Sequence, residues 1–101
     1  MSLTGTWSIS ISSPIGAQSD VLELTENNGV MVGVLKNEAE MLPLSNPVLQ
    51  GTRLTWQSTM TKPFRLNLTF DVDFDGDILI GTSKVGIFPT SKVTGRRVVE
   101  N

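Results

Sequence analysis

The sequence predicts an all-β domain: an antiparallel up-and-down meander of about eight strands closed into a small barrel. Three observations carry this. Apolar and polar residues alternate with period two along most of the chain, as strands with one buried face require. Asn28-Gly29 and Asp75-Gly76 are hairpin dipeptides, because Asn, Asp and Gly tolerate the positive φ of tight turns. No segment carries the stripe of a crossover helix, which parallel neighbours would need. A meander of this size leaves two raw edges unless it closes on itself. A two-sheet sandwich is the competing architecture, but its long Greek-key connections are hard to find where nearly every gap is a tight turn.

The elements follow in order. Trp7, Ile9 and Ile11 share one face of the first strand, with Thr6, Ser8, Ser10 and Ser12 opposite. Pro14-Ile15-Gly16 ends it. Val21 to Thr25 is a second strand with Leu22 and Leu24 on one face. After the Asn28-Gly29 turn, Val30 to Leu35 is apolar on both faces, which predicts an outer face covered by something else. Asn37 to Glu40 is polar and turns the chain; its Glu-Ala-Glu stretch is too short for a stable helix. Met41 to Leu44 is extended, and Pro43 within it marks an edge, a bulge or an end of pairing. Asn46-Pro47 and Gln50-Gly51 frame another short extended piece. Arg53 to Thr61 alternates, with Leu54, Trp56, Ser58 and Met60 on one face. Lys62-Pro63 is a turn. Phe64, Leu66, Leu68, Phe70 and Val72 form the longest apolar face, ending near Asp75-Gly76. Ile78 to Val85 and Thr90 to Val99 complete the set, joined by Gly86 to Pro89.

Composition narrows the function. The chain has 101 residues, the size of one domain. Its net charge of −2 gives no footprint for nucleic acid or an anionic membrane. With no cysteine, disulfides and thiolate metal sites are excluded. With no histidine, the commonest general base and metal ligand are missing. The Met1-Ser2-Leu3-Thr4 start lacks the basic and apolar regions of a signal peptide. No apolar run approaches the ~20 residues of a membrane helix. The expected location is cytoplasmic.

The two ends carry the most specific signal. A Gly5-Thr6-Trp7 opening, with Arg97 on the face shared by Val93, Gly95 and Val99, pairs an indole with a guanidinium across the first and last strands. A guanidinium stacks on the indole face and donates its remaining N–H groups to nearby carbonyls. By the same parity Arg96 faces solvent. This arrangement resembles the calycin group: lipocalins, fatty-acid-binding proteins and avidins. There the resemblance implies that the arginine lies across the tryptophan and closes the barrel floor. The chain is similar, over nearly its whole length, to short bacterial β-barrel domains of unassigned function that stand alone or are appended to enzymes. The shared elements are Gly5-Thr6-Trp7, Pro14-Ile15-Gly16, Asn28-Gly29 with Gly33, Val72 to Asp77, and Thr94 to Arg97. It is much shorter than a lipocalin and lacks a C-terminal helix.

Candidate chemistry is sparse. Asp71, Asp73, Asp75 and Gly76 match the first half of a calcium loop, but the position of the bidentate glutamate is Thr82. The segment reads as a solvated acidic hairpin, and no metal or other cofactor is expected. Glu23, Glu26, Glu38 and Glu40 face solvent or lie in turns. No serine sits in a nucleophile elbow. The candidate pocket wall is Trp56, Ser58, Met60, Leu66, Leu68 and Phe70, with Ser83 and Gly81 leaving space or a hydrogen bond. The expected function is non-enzymatic binding of a small apolar or aromatic molecule in the barrel. The alternatives are a structural or oligomerisation domain with a filled core, and a cofactor-free barrel enzyme such as a cyclase or isomerase. A homodimer through the outer face of Val30 to Leu35 is the expected protein partnership. The state of the barrel interior separates these readings.

Overall fold

A computed structural model describes residues 3–13, 16–61 and 65–98. Nine strands form one antiparallel sheet: β1 (Gly5–Ser13), β2 (Gly16–Asn27), β3 (Val30–Lys36), β4 (Met41–Pro43), β5 (Ser45–Gln50), β6 (Arg53–Met60), β7 (Leu66–Asp75), β8 (Ile78–Val85) and β9 (Ser91–Arg97). Their order is β4-β3-β2-β1-β9-β8-β7-β6-β5, a meander wrapped into a nearly closed barrel. β1 and β9 meet in the middle of this order, with Trp7 opposite Arg97 and Ile9 opposite Gly95. Closure comes from the chain itself. β4 and β5 are separated only by Leu44. They act as one bent strand that pairs first with β3 and then with β6. Pro43 ends the first pairing because it has no N–H to continue the ladder. Asn46, at φ 51°, sits where the second pairing shifts register. At the join the Leu44 amide still donates to Gly33 O at 3.1 Å. Counted this way, eight strand positions surround the barrel.

The two ends differ. At one end the hairpins are two-residue turns, Asn28-Gly29, Gly51-Thr52 and Gly76-Asp77. Asn28 and Gly29 have φ of 53° and 80°, the doubly positive pattern that suits strand twist. The third turn lies one residue later than Asp75-Gly76, because β7 runs through Asp75. Phe74 thereby joins the interior face. At the other end the described connections, residues 37–40 and 86–90, are longer. β2 is longer than the alternation at Val21 to Thr25 indicates, reaching back to Gly16. The expectations for Pro14-Ile15, Lys62-Pro63, Phe64 and Val99 lie outside the described residues.

The tight-turn end is packed. Trp7, Leu24, Leu54, Phe70, Val72, Phe74, Leu79 and Val93 are all buried there or in the middle of the barrel. Trp7 meets Phe74 edge-on, with ring centroids 4.8 Å apart and planes at 72°. The Arg97 guanidinium carbon lies 4.5 Å from the Trp7 ring centroid. Arg97 Nη1 donates to Thr4 O at 2.7 Å and Nε to Asp77 Oδ1 at 2.9 Å. Arg96, one residue earlier, is exposed on the outer face. The floor is therefore a stacked ring pair sealed by a hydrogen-bonded cation.

Candidate functional site

Above the packed half the interior opens into a cavity of about 700 Å³. Its walls are mainly apolar: Ile11, Leu35, Leu42, Met60, Leu66 and Leu68 contribute from five strands around the barrel. Period-two alternation puts each of these on the inner face. The rim includes Phe88, which lines the cavity and is still 61% exposed. Beside it Ile87 is 98% exposed at the tip of the β8–β9 connection.

Three of the six candidate wall residues, Met60, Leu66 and Leu68, border this space. The other three lie beneath or behind it. Trp56 and Phe70 stack face to face, with centroids 4.7 Å apart and planes at 9°. Their pairing on β6 and β7 places them directly opposite one another. The buried indole N–H of Trp56 has no hydrogen-bond partner in the structure. Ser58 is buried and donates to Pro43 O at 3.4 Å, across the gap where β4 and β6 approach without a ladder. Gly81 does not leave space. A Cβ there would overlap the Asp71 carbonyl oxygen and come 2.6 Å from Val72 Cα. The missing side chain lets β7 and β8 approach closely instead.

The polar groups of the cavity lie on two sides. Ser83 and Ser91 face each other on β8 and β9. Beyond β1, β2 contributes Gln18 and Asp20. Asp20 is only 5% exposed. It was not among the sequence candidates, because the second strand reads clearly only from Val21 onward. The missed signal is parity: Gln18, Asp20, Leu22 and Leu24 share one face once β2 extends to Gly16. Gln18 Nε2 donates to Asp20 Oδ1 at 2.9 Å. Burial raises the proton affinity of the Asp20 carboxyl above the usual carboxylate range, and the Gln18 bond offsets part of that rise. Asn37, just past the end of β3, uses its own Oδ1 to accept the amides of Ala39 and Glu40. It thereby shapes the rim rather than engaging the carboxyl.

The outer acidic strand is separate from this site. Asp71 is held by Arg53 through a two-pronged contact, Nε to Oδ1 at 2.8 Å and Nη2 to Oδ2. That pairing lowers the Asp71 proton affinity. Asp73 accepts from Thr52 Oγ1 at 2.5 Å. Among the described residues no group of three or more Asp or Glu is arranged to hold a metal ion. None of them belongs to a helix long and apolar enough to cross a membrane.

No protein-family model matches this chain, and no curated protein matches it either.

Proposed function

We propose that this chain binds a small, largely apolar molecule in the open half of its barrel and does so without chemistry, as a minimal calycin-like binder. The observation that carries the reading is the unfilled half of the interior. Its volume, about 700 Å³, lies within the roughly 300–1,000 Å³ of small-molecule sites. Such sites combine apolar walls with a few placed polar groups, and here those are Gln18, Asp20, Ser83 and Ser91. The stack of Arg97 on Trp7 supports the calycin-like part of the reading. It lies at the opposite end from the cavity and takes no part in binding.

A second reading, a cofactor-free barrel enzyme, draws on Asp20 alone. A carboxyl in an apolar cavity with raised proton affinity is suited to proton transfer. A homodimer through the outer face of β3 belongs to the first reading. Val30 and Val32 are exposed there, next to exposed Met41 and Val48 on the bent strand.

Native mass spectrometry of the protein purified from its host tests these together. The binder predicts a small-molecule adduct that organic solvent releases unchanged. The dimer predicts twice the chain mass. A bare chain that also takes up no apolar fluorescent probe would refute the binder.

A further inference from the structure

We infer that the cavity selects ligands with a cationic head on an apolar body, an alkylammonium group seated against the Asp20 carboxylate. This rests on the binding role proposed above and names its ligand class. Asp20 is the only ionisable side chain among the described residues that line the cavity. It is nine-tenths buried or more, on the inner face of β2, with Ile9 opposite it on β1. A carboxylate offers about four acceptor sites. Among the described residues Asp20 receives one hydrogen bond, from Gln18. Acceptor capacity therefore remains within a largely apolar space.

Among the described residues no lysine or arginine lines the cavity beside Asp20. Lys36 lies on the outer face and pairs with Glu23 at 2.8 Å. Lys84 and Lys92 are exposed on the outer faces of β8 and β9. A buried carboxyl without a counter-charge costs folding free energy, which an uncharged residue of similar size would avoid. A ligand ammonium supplies the missing partner, and its alkyl body fills the walls of Ile11, Leu42, Met60 and Leu68. A ligand carboxylate would meet a like charge and, among the described lining residues, no cation, so fatty acids fit this cavity poorly. An alcohol offers a donor but no charge.

The probes are octylamine, octanol and octanoate, titrated calorimetrically into the full chain at neutral pH. A hydrogen bond to a charged group contributes about 1.5–3 kcal/mol, so the amine should bind about tenfold to a hundredfold more tightly than the alcohol. Octanoate should bind weakest. Asp20→Asn should abolish the preference, bringing octylamine and octanol to within about threefold of each other. The ranking on the unsubstituted chain decides by itself should that variant fail to fold. Equal binding of the three probes, or tightest binding of octanoate, overturns the inference and leaves the apolar binding role standing. Failure of all three to bind overturns both.

Discussion

Replacing Arg97 with alanine tests the barrel floor. The guanidinium stacks on Trp7 at 4.5 Å, donates to Thr4 O at 2.7 Å and pairs with Asp77 at 2.9 Å. The stacking contact, partly desolvated, contributes about 0.5–2 kcal/mol. The charged hydrogen bond to Thr4 contributes about 1.5–3 kcal/mol. The Asp77 pair is discounted below about 1 kcal/mol, because Asp77 is largely exposed. These contributions overlap, and alanine no longer incurs the entropic cost of ordering a long side chain, so Arg97→Ala should cost about 2–4 kcal/mol in all. For a domain of this size that lowers Tm by about 8–30 °C. Arg96→Ala, on the exposed outer face, should stay within about 0.5 kcal/mol. Arg97→Lys keeps the charge but loses the planar stack and the fork of donors, and should recover less than half the loss. Urea unfolding followed by tryptophan fluorescence reads all three, with unchanged m-values as the check on two-state behaviour. Equal losses for Arg96→Ala and Arg97→Ala, or a loss below about 1 kcal/mol for Arg97→Ala, would refute the floor as described.

Two further substitutions probe the wall. Gly81→Ala should destabilise by about 1–3 kcal/mol or more, since the new methyl overlaps backbone of β7 rather than a side chain that can rotate away; an unchanged unfolding midpoint would mean the strands are not so closely coiled. Asp20→Asn should raise stability at neutral pH by about 1–3 kcal/mol, because it removes a buried charge and keeps an acceptor for Gln18. The sign follows from linkage: burial raises the folded-state proton affinity of Asp20. Its contribution is therefore full below the ordinary carboxylate pKa and is lost as pH rises through the raised folded value. Asp71, held by Arg53, acts in the opposite sense, losing its contribution as pH falls. Subtracting the variant's thermal-stability profile from the parent's isolates Asp20; a flat difference from acid to neutral pH would show that its carboxyl is solvated.

Much of the architecture was legible in the chain. Alternation located β1, β6, β7 and β8, and two glycine turns lay within a residue of the dipeptides that marked them. Strand parity also distinguishes Arg97 from Arg96. Local pattern suffices there because the period of a strand is two and each of those strands has one plainly apolar face. It was less clear for β2, where Gly16 to Asp20 holds no large apolar residue and the inner face turns polar near the mouth. Asp20 was missed for that reason, although it is the most chemically distinctive group in the cavity.

The sequence by itself determined most of the strands, two of the tight turns and the Trp7 and Arg97 partners, because each depends on residues whose spacing is local or whose faces follow from parity. The tertiary structure decided what the barrel encloses. Whether inner faces meet or leave a gap depends on strand curvature and on distances across the barrel, which no local pattern records. It was there that Trp56 and Phe70 became a packed stack, Gly81 a close backbone approach, and Met60, Leu66, Leu68 and Asp20 the walls of a cavity.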